Sequence, residues 1–240
     1  MMKKATRWLF VSGITGLAVV ASVTAALAFG PRIPQVPIAG ASLQNQLNLM
    51  NPGPPAINVL TDQVDAQVWR SSVSGNATFT LMIELAGNAA KNDIGIYNTL
   101  GGLNPPLYLV FPGAASAGWF ATCHFGPAGA LAVLLYDQNA TFQGQNNYAG
   151  VDRNSFSFYL QNAPLGYLFY SQDVRNAGGS PQMVTYLGTD ANFGDWWECF
   201  EDLPYATSDH DFEDAILLLQ SVAPTPARGT SWGMLKALYR

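Results

Sequence analysis

The chain has 240 residues, with 11 basic against 16 acidic and a formal net charge of −5; this balance argues against nucleic acid or an anionic lipid surface as a partner and for divalent cations. Charged residues make up only 11% of it, low for a soluble domain, and Gly, Asn, Thr and Ser supply the polar surface instead. The sequence has neither a P-loop nor a G-x-G-x-x-G run, so nucleotide chemistry has no support.

Residues 1–28 read as a signal peptide. Lys3, Lys4 and Arg7 form a positive start, residues 8–27 are apolar or small and uncharged, and Ala26-Leu27-Ala28 fits a small-x-small cleavage site. Cleavage removes three basic residues and no acidic ones, leaving 8 basic against 16 acidic, a net of −8. The competing reading is a retained span, since the apolar run is long enough to cross a bilayer. Membrane contact is expected only in that case. Residues 29–56 carry Pro31, Pro34, Pro37, Pro52, Pro54 and Pro55 and read as an extended N-terminal arm.

From 57 to 222 the pattern changes to short apolar runs cut by Gly, Asn and Pro. Strands are expected at 67–69, 77–85, 93–97, 107–111, 119–124, 131–135, 155–160, 166–171, 183–187 and 216–222. Phe79, Leu81, Ile83 and Leu85 alternate with other residues, as do Phe156 and Phe158 with serine, the mark of strands with one solvated face. Many short strands of this kind predict an all-β, jelly-roll-like β-sandwich. A short helix is expected near 115–119. Residues 223–240 read as a linker and a short tail, with a helix over 230–240 capped by Ser231.

The two cysteines, Cys123 and Cys199, have neither CxxC nor Cys/His ligand spacing, which argues against zinc. In an exported chain they are free to pair, and a bridge closing so long a loop would add about 4 kcal/mol.

Residues 190–214 hold the densest chemistry. Nine of the sixteen acidic residues fall here, Asp190, Asp195, Glu198, Glu201, Asp202, Asp209, Asp211, Glu213 and Asp214, with no Lys or Arg among them. Two carboxylates about 5 Å apart repel by roughly 3 kcal/mol at an effective dielectric near 20. A folded loop that crowds several needs a cation, protons or wide separation. The metal-ligand candidates are Glu201, Asp202, Asp209, Asp211, Glu213 and Asp214. Calcium accepts six to eight hard oxygens in flexible geometry, whereas magnesium is stricter, so the expected ion is Ca2+. The spacing is not that of an EF-hand: if Asp209 opens the loop, Asp214 takes the place of the glycine and Gln220 that of the final glutamate.

A resemblance adds to this reading. Phe200-Glu201-Asp202-Leu203, followed by Asp209-His210-Asp211-Phe212-Glu213-Asp214, resembles the "FEDL…D-x-D-[YF]-N-D" signature of the DUF4114 family. Phe156-Ser157-Phe158-Tyr159-Leu160 with Phe169-Tyr170-Ser171, Asn92-Asp93-Ile94-Gly95-Ile96-Tyr97, and 111–118 are similar to segments upstream of it in secreted bacterial members. The resemblance covers residues 57–222 and implies an extracellular β-rich domain suspected of binding calcium. It matches Glu201, Asp202, Asp209, Asp211 and Asp214 to the family's acidic positions, and departs from it at Glu213, where Asn is common. Asp173 and Asn176 are weaker, remote ligand candidates; an Asx-bonded turn is the stronger reading of them.

Enzyme readings fare poorly. Ser116 lacks the first glycine of a nucleophile elbow. Glu198 and Glu201 form the one carboxylate pair worth weighing for glycoside cleavage. The expectation is a secreted, non-catalytic calcium-binding domain acting in adhesion, matrix or surface assembly, with a polysaccharide or another cell-surface protein as partner. The alternative is a calcium-assisted carbohydrate-binding module, with Trp119, Trp196 and Trp197 as stacking faces.

Overall fold

The computed structural model describes residues 30–85 and 89–225; the expected signal peptide and tail helix lie outside them. Among these residues one α-helix, α1 (Ser42–Met50), precedes fourteen strands: β1 (Gln63–Val64), β2 (Val68–Ser71), β3 (Asn76–Glu84), β4 (Asn92–Asn98), β5 (Leu107–Phe111), β6 (Phe120–Phe125), β7 (Leu131–Tyr136), β8 (Phe142–Tyr148), β9 (Phe156–Asn162), β10 (Tyr167–Tyr170), β11 (Met183–Leu187), β12 (Trp196–Phe200), β13 (Ala215–Gln220) and β14 (Val222–Thr225). They form two antiparallel sheets, ordered β1-β11-β12-β13-β3-β6-β7-β8 and β14-β2-β9-β4-β5, with β10 paired to β9. The chain crosses repeatedly from one sheet to the other, and the result is the all-β sandwich that the alternating strands predict.

The main core lies between the sheets. Phe79 and Leu81 of β3, Ile94 and Ile96 of β4, Phe156, Phe158 and Leu160 of β9, and Leu217 and Leu219 of β13 are all buried in it. Burying each such side chain stabilises the fold by about 1.5–3 kcal/mol. Gly95 marks a close approach: the register shifts beside it, and a Cβ there would lie 2.3 Å from the Tyr108 carbonyl oxygen.

A second core covers the outer face of β11, β12 and β13. Val184, Tyr186, Trp197, Cys199 and Ile216 project there and meet Val36, Leu43, Leu47, Ile57 and Val59 from the N-terminal segment, together with Phe212. Residues 29–56 are therefore not wholly extended. Leu43 and Leu47, four apart, present one apolar stripe to the sheet, and the drive to cover it organises α1. Arg32 holds the start of the segment through Asp173 and the Met183 carbonyl.

Several further expectations change. Residues 115–119 form turns, not a helix. Residues 223–225, expected to open the linker, lie in β14, where Pro224 is tolerated at a sheet edge. Residues 142–148 and 196–200 form strands that the apolar pattern did not mark. Cys123 and Cys199 are free and buried. Cys123 faces the core between the sheets and Cys199 the core on the outer face, so the sheet itself separates the two thiols.

Candidate metal centre

Phe200 at the end of β12 pairs with Ala215 at the start of β13, so residues 201–214 are a hairpin loop with Glu201 and Asp214 flanking its neck. Side chains on facing residues of antiparallel strands stand about 5 Å apart, and the neck thus brings two carboxylates together by strand register alone. Backbone bonds fix both sides. The Glu201 N–H donates to the Gln182 carbonyl and the Leu85 N–H to the Asp214 carbonyl, at 3.0 Å each. The Gln182 side-chain amide donates to the Leu203 carbonyl at 2.8 Å.

The rest of the loop folds back onto this neck. Phe212 is fully buried in the outer core, and the Ala39 N–H donates to the His210 carbonyl at 2.9 Å. Tyr205 and His210 stack with ring centroids 4.1 Å apart. His210 and Phe212 adopt left-handed backbone, with φ of 61° and 56°. For these residue types that conformation persists only where surrounding contacts enforce it; here the buried Phe212 ring and the Ala39 bond do so. This folding brings Asp209 and Asp211 close to Glu201.

The acids converge as two groups that share one residue. Glu201, Asp209 and Asp211 offer oxygens all within 4.8 Å of one another, and so do Glu201, Asp202 and Asp214. Glu201 and Asp202 are buried and Asp209 is exposed, so the cluster is closed at its neck and open toward solvent at Asp209. Asp202 is held from both sides. Its N–H donates to the Asp214 carboxylate at 2.8 Å, and its own carboxylate accepts from Asn92 Nδ2 at 2.9 Å. Asn92 in turn accepts from Asn162 Nδ2 at 2.9 Å. These two buried amides, on β4 and β9, are positioning residues that sequence reasoning missed, since an isolated buried Asn leaves no periodic signal.

The electrostatics set the chemistry. Among the described residues the one ion pair is Arg32–Asp173, so no Lys or Arg neutralises the cluster. Oε2 of Glu201 is buried without a hydrogen-bond partner. Burial first, then the Asp214 carboxylate and its hydrogen bond, then Asp209 and Asp211, push the Glu201 carboxyl up to about 9. Asp214 rises to about 6, driven by burial against the opposing bond from the Asp202 N–H. Asp211 is also raised by burial, against a bond from the Glu213 N–H. Without an ion, the Glu201–Asp214 pair holds a proton more firmly than an ordinary carboxyl does. A metal ion can take that proton's place, because every donor is a hard oxygen and the set is anionic.

Of the six candidate ligands, five enter the two groups; Glu213 enters neither, although its Oε2 is also buried and unpartnered. The acid run also divides. Asp195 accepts from Gln220 Nε2 at 3.0 Å, Asp190 lies in the 3-10 turn Asp190–Asn192, and Glu198 is enclosed on β12 with Thr185 Oγ1 donating to it at 2.6 Å. Asp173 pairs with Arg32 and Asn176 bonds the backbone of Tyr170 in both directions, so both serve local structure. Trp196 and Trp197 are buried, which removes the exposed stacking faces expected of them, whereas Trp119 is partly buried against the main core. No family model, curated protein or solved structure matches the chain.

Proposed function

We propose that the 201–214 loop binds calcium through Glu201, Asp202, Asp209, Asp211 and Asp214, with Glu213 completing or shielding the site. The observation that carries this reading is the Glu201 carboxylate: it is 1% exposed, belongs to both acid groups, and keeps one oxygen without a partner. A buried, unpaired acceptor among like charges is costly, and a cation relieves that cost at a single point. Calcium suits the donors better than magnesium because the loop offers many carboxylates in an irregular arrangement. The ion's role is structural, closing the neck between β12 and β13.

We read the domain as exported and non-catalytic, acting at the cell surface or in a matrix on a polysaccharide or a protein partner. The basic start, apolar run and small-x-small site support export, and the resemblance to the DUF4114 signature supports an extracellular setting. Enclosure of Glu198 supports a non-catalytic reading, since the carboxyl that would assist Glu201 in glycoside cleavage cannot reach a substrate. Thermal unfolding of the chain in chelator and in millimolar calcium, repeated on Asp209→Asn and Asp211→Asn, tests the site. Calcium raises the midpoint of the parent and raises it less in both variants; an unchanged midpoint throughout removes the metal.

A further inference from the structure

Both sheets have edges, and all but one are blunted. At one end of the larger sheet, β1 is two residues long, and Arg32 N–H donates to its Gln63 carbonyl at 2.9 Å. In the smaller sheet, β14 contains Pro224, and β10 is capped by the Asn176 side chain, which bonds the N–H and the carbonyl of Tyr170. β5 is bounded by Pro106 and Pro112, and its Leu109 carbonyl accepts from Tyr148 Oη at 3.1 Å. Short strands, proline and covering groups are the usual devices against strand addition.

β8 lacks them. It spans Phe142–Tyr148, contains no proline or charge, and is exposed along most of its length. A register shift isolates Gln143, after which Gly144, Gln145, Asn146, Asn147 and Tyr148 pair regularly with β7. Among the described residues no outer partner for its backbone is present. The neutral stretch is wider than the strand: residues 138–151 carry no ionisable acid or base apart from the Tyr148 phenol, in a chain of net charge −5.

We propose that β8 is a self-association edge, at which a second copy of this chain adds its own β8 in antiparallel register to make one continuous sheet through two molecules. Charge favours a second copy here. Two acidic molecules repel over most of their surfaces, and β8 is the edge where they meet without opposed charges. The sequence is also complementary to itself. A two-fold axis at Asn146 sets Asn146 against Asn146, Gln145 against Asn147, and Gly144 against Tyr148. Amides meet amides along the central positions, and no charged side chain is set against another. The smaller sheet ends near β7 and β8, where Tyr148 reaches Leu109 of β5. The exposed β8 thus overhangs it and leaves room for a second strand.

The test is sedimentation of the full chain over the micromolar range, beside Asn146→Lys and the control Val73→Lys, whose site is a fully exposed loop position. The parent and the control dimerise, and Asn146→Lys, which sets two ammonium groups face to face, weakens dimerisation by roughly tenfold or more. An Asn146→Cys chain also crosslinks on mild oxidation, because facing antiparallel residues lie about 5 Å apart, within disulfide reach; Val73→Cys does not crosslink, and Cys123 and Cys199 are buried and silent. Unchanged midpoints show that the variants remain folded. A parent that stays monomeric, a lysine variant that associates as the parent does, or equal crosslinking at Val73→Cys overturns the proposal. A chain that pairs only with a foreign strand overturns it too. Runs in chelator and in calcium separate this outcome from the metal site: β13 is four strand spacings from β8, and dimerisation persists in both.

Discussion

Replacing Glu201 by Gln tests the electrostatics of the loop most directly, because the sign of its effect differs from that of an ordinary buried mutation. In the ion-free protein the Glu201 carboxyl is held up to about 9, against a value near 4.3 in an unfolded chain. A folded pKa above the unfolded one means that the group's full contribution is present at low pH and is lost as pH rises from about 4 to about 9. At about 1.4 kcal/mol per unit, the loss at pH 7 is on the order of 3 kcal/mol. Repulsion adds to burial: carboxylate oxygens within 4.8 Å of one another repel by about 3 kcal/mol or more at an effective dielectric of 20. Gln keeps a donor toward Asp214 and has no charge to bury. In chelator at pH 7, Glu201→Gln is therefore more stable than the parent by about 3 kcal/mol, or roughly 6–12 °C in midpoint for a domain of this size. Calcium at a hundredfold excess over its dissociation constant returns about 2.7 kcal/mol to the parent and much less to the variant, so the two converge. Scanning calorimetry from pH 5 to 9, with and without calcium, reads all of this. A variant that melts below the parent in chelator, or that gains as much from calcium, refutes the reasoning.

Phe212→Ala empties a fully buried site in the outer core and should cost about 3–5 kcal/mol in urea unfolding; it should also weaken calcium binding in a calorimetric titration, because Phe212 anchors the turn that presents Asp211. Glu198 is pushed up to about 8 by burial, so its contribution too is lost as pH rises from about 4 to 8, and Glu198→Gln should flatten that part of the stability profile when unfolding is followed by tryptophan fluorescence. Cys123 and Cys199 should both be alkylated after unfolding without reductant, and reductant should leave the thermal midpoint unchanged; a mass corresponding to a bridge contradicts the two-faced placement.

The most legible strand is one with a wetter face: β3 alternates apolar and polar residues, and its burial alternates with them. β9 is marked by the same alternation in Phe156-Ser157-Phe158, although both of its faces are buried, the second one in the cluster of Tyr97, Tyr159 and Tyr170. β12 does not alternate, because Trp197 and Cys199 serve the outer core while Trp196 and Phe200 serve the inner one; with Glu198 among them, the strand reads as part of an acid run. β8 was hidden for the opposite reason, having almost nothing to bury. α1 was masked by the prolines around it, and only Leu43 and Leu47 of its residues are buried. The crowding of acids was plain from composition, and five of the six named ligands do converge. Their pairing across a hairpin neck was not, since it depends on where β12 ends. The Asn92–Asn162 support depends on contact between distant strands, which one sequence does not encode visibly.

The outer core covers β11 to β13 and reaches Met82 and Ile83 of β3, while the far end of the same sheet, at β8, is bare. In the monomer, amide hydrogens along this one sheet should therefore exchange with solvent at graded rates, slowest where a helix and a loop lie over the strands and fastest at the open margin. The covered half of the sheet is also the half that carries the acidic loop, which leaves the bare margin as the part whose protection would report a strand added there.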